Sequence, residues 1–182
     1  MRKFHTRLGR GLWLLSALAL LTACTGWDPG RPAEQQSETN ATLARLKARD
    51  PGIERFLRNA YGYAIFPTVG KGAVGVGGAY GKGEVIQQGK PVGRTELVQL
   101  TIGFQWGGQA YSEIIFFEDK ASLERFTAGK LKFAAQASAV AITAGASANA
   151  AYENGVAVFT MTKGGLMYEA SIGGQGFTFT PY

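Results

Sequence analysis

Tyr61–Val85 reads YGYAIFPTVGKGAVGVGGAYGKGEV, the densest glycine run in a chain of 182 residues. Tyr63-Ala-Ile-Phe66 is short, apolar and aromatic, the pattern of a strand. Pro67 is expected to close it, because proline cannot donate to a sheet ladder. From Ala73 the pattern alternates, with Val74 and Val76 on one face and Gly75 and Gly77 on the other. A glycine face weakens a strand, so it marks a close approach by another element or a sharp bend. Gly77-Gly78 then reads as a bulge and Gly81-Lys82-Gly83 as a turn. Two nucleotide-binding motifs compete for the same residues and fail. Gly70-Lys-Gly-Ala-Val-Gly75 satisfies G-x-G-x-x-G, but the fingerprint needs a helix opening at its last glycine. The glycines and β-branched residues that follow would not sustain one. A phosphate loop fails at Val76, where its first glycine belongs, and at Gly83, where Ser or Thr should bind magnesium.

Ala60-Tyr-Gly-Tyr-Ala-Ile-Phe-Pro67, Gly70-Lys-Gly72 and Val76-Gly-Gly-Ala-Tyr-Gly-Lys-Gly83 together resemble the SYLF domain family. Further matches follow in order: Ile102-Gly-Phe-Gln-Trp-Gly107, Phe116-Phe117, Leu123-Glu-Arg-Phe126, Gly165-Leu166 and Gly173-Gly174. The resemblance covers roughly residues 40–182 and implies a fold and a lipid-binding tendency. Eukaryotic members bind phosphoinositide membranes and some bind actin, while several bacterial members look like lipoproteins.

The N-terminus reads as an address. Met1–Arg10 carries Arg2, Lys3, Arg7 and Arg10 with no acid, and Leu12–Leu21 is apolar apart from Ser16. Ten residues are too few for a membrane-spanning helix, which needs about 20, so residues 1–23 are expected to be a signal peptide. Leu21-Thr-Ala-Cys24 looks like a bacterial lipobox, with the Cys24 thiol as the site of lipid attachment. Cys24 is the sole cysteine and has no disulfide partner in the chain. Two or more acyl chains anchor stably where one holds only marginally, each buried methylene adding about 0.8 kcal/mol. Thr25, rather than Asp, follows Cys24, which by the sorting rule of enterobacterial lipoproteins favours the outer membrane, facing the periplasm. Trp27–Asn40 (WDPGRPAEQQSETN) is polar with two prolines and reads as a tether, so residues 24–39 are expected to be a lipidated N-terminus and flexible tether.

Processing changes the meaning of the charge. The full chain is +6, but four of its 19 basic residues leave with the signal, so 15 face 13 acids and the net falls to +2. A nucleic-acid partner would want a basic stripe that survives processing, so none is expected.

A single SYLF-like domain is expected over 40–182. Ala41–Arg49 reads as a short amphipathic helix, and Asp50-Pro51 as an N-cap with proline at the first position of a second helix to Asn59. Basic residues beside these helices suit a membrane-surface element, but the narrow apolar faces favour a packed helix with a solvated side. Val85-Ile86 and Glu96–Trp106 read as strands about a hairpin through Gln88–Gly93, and Ala110–Phe117 as another. Asp119 should cap a helix running to Ala128, with Gly129 as its stop. Phe133–Tyr152 carries no charge over twenty residues, yet its alanine and polar content is too weakly hydrophobic for insertion. The family resemblance implies a strand from Leu131 to about Thr143 there, with small side chains packing on the glycine face. Val156–Thr162, Leu166–Ile172 and Phe177–Thr180 complete the strands, with turns at Lys163–Gly165 and Gly173-Gly174. The expected fold is α+β, a curved antiparallel glycine-rich sheet carrying two or three helices.

Chemistry is sparse. The one histidine, His5, leaves with the signal, and Cys24 is committed to lipid. Without imidazole or thiol, Ser-His-Asp, Cys-His and zinc hydrolase sites are excluded, and no metal loop or cofactor motif stands out. The expectation is a non-enzymatic protein with no cofactor. Glu113, an acid inside an apolar strand, is the one whose burial would raise its pKa. The partner expected from the resemblance is membrane lipid, through the acyl anchor at Cys24 and through headgroup contacts at Lys71, Lys82, Lys130 and Lys132. The alternative is a structural or protein-interaction role in the envelope, with those lysines serving only to keep turns soluble.

Overall fold

The computed structural model describes residues 30–182 apart from 75, 103–108, 135–136 and 164–169. Cys24 and the lipobox therefore lie outside the described residues, as do the turn expected at 164–165 and much of the strand expected from Leu166. The fold is α+β. Three α-helices are described, α1 (Gly30–Arg49), α2 (Glu54–Asn59) and α3 (Lys120–Thr127). The strands are β1 (Gly62–Val74), β2 (Val76–Gln87), β3 (Lys90–Ile102), β4 (Gln109–Phe117), β5 (Ser138–Ala141), β6 (Val156–Thr162), β7 (Ala170–Ser171) and β8 (Gln175–Pro181). They form one sheet in the order β7-β5-β6-β4-β1-β2-β3-β8. Its pairs are antiparallel except β5–β6.

This order requires the sheet to roll. β7 and β8 stand at its opposite ends, yet only Ile172–Gly174 separates them in sequence. Two side chains span the interior where the ends meet. Gln99 of β3 donates from Nε2 to the carbonyls of Ser171 (3.0 Å) and Gly173 (2.9 Å), and Gln175 of β8 donates to Glu113 Oε2 of β4 (3.0 Å). Rolling gives the sheet an inner and an outer core. Phe66, Val69, Leu97, Tyr111, Phe117 and Phe177 fill the inside, joined by Leu123 and Phe126 of α3. Ile65, Ile114, Phe116 and Phe159 face outward beneath Leu46 of α1 and Phe56 of α2. The Ile114–Phe117 run is therefore apolar throughout because both faces of β4 are covered.

Several expectations change. Pro67 does not end a strand: β1 runs through it with one extra residue between Ile65 and Thr68 relative to β2, and between Phe66 and Val69 relative to β4. A bulge leaves residues unpaired, which is where a residue lacking N–H is tolerated. Gly81-Lys82-Gly83 is not a turn but the middle of β2, beside that bulge. A Cβ on Gly83 would lie 2.5 Å from the Ile65 carbonyl and 2.7 Å from Phe66 Cδ1. The glycines thus mark a close approach, as expected, but the approaching element is β1. The Gln88–Gly93 loop shrinks to Gln88-Gly89, both at positive φ (49° and 78°), the pairing of a tight two-residue hairpin.

The stretch read as a tether is helical from Gly30. Tertiary contact explains this, since Gln35 Nε2 donates to the Gly83 carbonyl at 2.8 Å and Thr39 is buried. The strand expected from Leu131 to Thr143 reduces to Ser138–Ala141, which pairs with β6 and β7 and not with the glycine strand. Asp50 does cap the turn that follows it, a 3₁₀ turn over Pro51–Ile53 that leads into α2. Its carboxylate accepts from Gly52 N (3.0 Å) and from Ser147 N (2.6 Å). Arg55 donates to the carbonyls of Ser147 and Ala150. These bonds hold the alanine-rich segment against α2 without strand pairing.

Candidate functional site

A cleft of about 550 Å³ lies between the segment leaving α3 and strands β5 and β6. Its position follows from how α3 ends. Asp119 accepts from Ser122 N at 2.7 Å and so caps the helix. Gly129 stops it at φ 66°, a left-handed conformation that glycine adopts without cost. The amides of Lys130 and Leu131 then both return to the Arg125 carbonyl, at 2.8 and 3.0 Å. This turn fixes the alternation that follows: Leu131 is buried and Lys130 and Lys132 are exposed. Apolar walls come from Leu131, Phe133, Val158 and Ile172, with Lys132 and Glu153 as the charged lining groups. The opposite wall is braced by Arg125, which donates to the Asn154 carbonyl at 2.6 Å and to Ser122 Oγ at 3.2 Å.

The four lysines named from the sequence do not converge. Lys130 and Lys132 flank Leu131 on one segment, and Lys132 lines the cleft. Lys71 is half-buried near the hairpin end of β1, opposite Gln109 of β4. Lys82 lies in a smaller hollow of about 290 Å³ with Arg94, but Glu34, Glu38 and Glu96 share it. Three acids against two bases do not make an anion site. Cys24 lies outside the described residues. The cleft itself could not be read from sequence, because it is built from a segment whose alanines give neither strand nor helix a clear period.

The acid singled out in the apolar strand is a buried one. Glu113 is 1% exposed, points inward beside Tyr111 and Ile115, and opposes Thr160 across the β4–β6 pair. Burial pushes its carboxyl up to about 7, while the hydrogen bond from Gln175 pulls the other way. Burial also raises Tyr111, as does the nearby Glu113. On the outer face Tyr182 donates to Glu84 Oε1 at 2.7 Å, and burial and that bond push its hydroxyl up to about 12. A third feature is apolar and exposed. Tyr80 and Val98 are direct cross-strand partners on β2 and β3, and Leu100 follows two residues on, 75% exposed. Among the described helices none is long and apolar enough to cross a membrane.

Residues 98–180 match the family described as Ysc84, Las17-binding protein actin regulator. That span runs from the middle of β3 to the end of β8 and includes the cleft, Glu113 and Gln175, but not the glycine strands. A curated relative, Beta cell expansion factor A of Aeromonas veronii, is 27% identical over 140 residues, which is 76% of this chain and 53% of that protein. The chain thus spans about half the length of the curated relative it matches.

Proposed function

We propose, from the match of residues 98–180 to the Ysc84 family, that the chain is a lipid-anchored envelope protein whose SYLF-like domain binds anionic phospholipid headgroups. The observation that carries this reading is the 550 Å³ cleft, whose apolar wall of Leu131, Phe133, Val158 and Ile172 meets Lys132 at the lining, with Lys130 exposed on the same segment and Glu153 as the one acid opposite them. An apolar wall receives the upper acyl region of a lipid, and an ammonium at the rim meets its phosphate. Lys71 and Lys82 drop out of the site, since neither reaches the cleft. The anchor rests on the sequence: a basic n-region, a ten-residue apolar run and Cys24 directly after it. Tethering then raises the effective headgroup concentration, so weak binding by the domain suffices. The role is binding, not catalysis, because the processed chain lacks histidine and a free thiol.

The test uses the Cys24→Ala chain, which lacks the acyl anchor, sedimented with anionic and with zwitterionic vesicles across a salt series. Salt-sensitive binding to anionic vesicles is expected, and Lys130→Glu with Lys132→Glu should abolish it while Lys71→Glu and Lys82→Glu leave it. No binding at low salt would sink the headgroup site. A protein-interaction role would then gain ground, favoured by the adjoining exposed side chains of Tyr80, Val98 and Leu100. Fractionation of the Cys24→Ala chain wholly with membranes would count against the anchor.

A further inference from the structure

Three buried side-chain oxygens at the corner where the rolled sheet meets itself have no hydrogen-bond donor among the described residues: Glu113 Oε1, Gln175 Oε1 and Gln99 Oε1. Their other atoms are committed. Gln99 Nε2 is shared between the Ser171 and Gly173 carbonyls, and Gln175 Nε2 is spent on Glu113 Oε2. Gln99 and Gln175 are direct partners across β3 and β8. All three side chains are about 1% exposed. An ionised carboxylate here would add only acceptors to a cluster already short of donors, and unsatisfied buried acceptors are costly. A proton on Glu113 supplies the missing donor.

Among the described residues no cation bonds to Glu113 in the proton's place. On the inner face, the residues flanking Glu113 are Phe66 and Val69 of β1, Ala79 and Gly81 of β2, Thr95 and Leu97 of β3, and Val158 and Thr160 of β6. Phe177 of β8 and Phe126 of α3 complete the inner core. Among the described residues, the titratable groups on that face are Tyr111, two residues away on β4, Tyr61 at the edge of the inner core, and Lys71, two residues beyond Val69 on β1 and half-buried near the sheet's end. Tyr111 is neutral near neutrality and its hydroxyl is bonded with Gln175, a single hydroxyl beside three open acceptors, while the shift of Glu113 comes from burial against the Gln175 bond.

We propose that Glu113 is a proton-binding site that fastens the rolled sheet, the protonated carboxyl keeping the β7–β8 corner closed and the ionised one releasing it. At this corner the described part of β7 is two residues, joined to β8 by a link of three. Glu113 reaches it from β4, across the interior. Ile172, between the two carbonyls that Gln99 holds, lines the cleft, so the same proton tunes the shape of that cleft. This last consequence rests on the lipid-binding reading; the proton site itself does not.

The test is hydrogen exchange on the full chain from pH 4 to pH 9, read as protection factors so that the intrinsic pH dependence of exchange cancels. With Glu113 at about 7 when closed and at the ordinary 4.5 when open, the opening equilibrium rises with pH between these values and levels off above 7. The ceiling on that rise is about 300-fold, the two and a half pH units of the shift. Protection at Ile172 and Gln175 is expected to fall accordingly, and Glu113→Gln, neutral at every pH, to flatten the profile. Carboxyl carbon NMR of the unmutated chain gives a readout that needs no variant, with one glutamate titrating near 7. Gln175→Ala, which removes the bond that favours the charged form, should move that midpoint higher. A glutamate set titrating wholly near 4.5, or protection that does not change with pH, overturns the proposal. Because no lipid is present, failure here and failure of vesicle binding are separate results.

Discussion

Gly83 and Gly70 lie thirteen residues apart on paired strands, yet a methyl group at each has opposite consequences. At Gly83 the added Cβ would meet the Ile65 carbonyl at 2.5 Å and the Phe66 ring at 2.7 Å, and neither backbone nor a buried ring can withdraw. At Gly70 nothing lies within 4 Å. Overpacking a closed site costs roughly 1–3 kcal/mol, so Gly83→Ala should lower the urea midpoint clearly, whereas Gly70→Ala should leave it nearly unchanged. Equal effects of the two substitutions would refute the bulge contact as the reason for glycine at 83. Asp50 shows the same dependence on close geometry. Burial pushes its carboxyl up, but the bonds from Ser147, Gly52 and Gly145 outweigh that and hold it below the ordinary carboxylate value. Asp50→Ala should cost about 1–2 kcal/mol, the typical loss of a helix cap. It should also raise exchange at Ser147, whose amide would lose its acceptor.

Among the elements, α3 carries the tightest link between sequence and site. Phe126 is fully buried, with ring centroids 5.0 Å from Phe117 and 4.9 Å from Phe177, so one side chain joins α3 to β4 and β8. Phe126→Ala should destabilise the domain by about 3–5 kcal/mol, measured by denaturant unfolding. It should also loosen the Lys130–Lys132 segment, whose turn starts from the same helix. This element was legible in advance because Asp119, Leu123, Phe126 and Gly129 each carry a local signal: cap, core, core and stop. β4 was legible for the same reason, its apolar run ending at Phe117. The misread elements depend on distant partners. Pro67 is a strand breaker unless a bulge receives it, and nothing within the local sequence announces that β1 will shift register against both neighbours. Residues 30–40 are polar and look like a tether until Gln35 finds the Gly83 carbonyl 48 positions away. The alanine-rich stretch is shaped by Asp50 and Arg55, some ninety residues earlier. The cleft inherits that illegibility, while Glu113 does not, because an acid within an apolar strand is conspicuous in sequence.

For the whole molecule, acids of opposite character set a stability optimum on the acid side of neutrality, Asp50 and Glu113 buried and Asp119 exposed at its helix cap. Asp50, and Asp119 through its bonds from the Ser122 backbone and side chain, are held below their ordinary value. Their contribution is present above about pH 4 and is lost as pH falls through the folded-state values. Glu113 works in the other direction. Its folded value of about 7 exceeds the ordinary 4.5, so the protonated form is preferred in the native state. The contribution of Glu113 is complete below 4.5 and declines as pH rises to 7. A shift of this size corresponds to about 3 kcal/mol at most, on the order of 10 °C in Tm for a domain of roughly 140 residues. Between these limits only a narrow window, near pH 4.5, satisfies both kinds of acid. Thermal unfolding of the Cys24→Ala chain should therefore peak near pH 4.5–5, fall toward pH 7 and run flat from there until the tyrosines titrate. Burial raises Tyr63, Tyr111 and Tyr152, so a second decline belongs above pH 10. Glu113→Gln should remove the fall between 4.5 and 7 and leave the acid limb, which belongs to the aspartates, where it was. A profile that instead peaks at neutral pH would mean that the interior carboxyl finds a donor when ionised. The closed corner of the sheet would then be held without a proton, by packing and by the Gln99 bonds to Ser171 and Gly173.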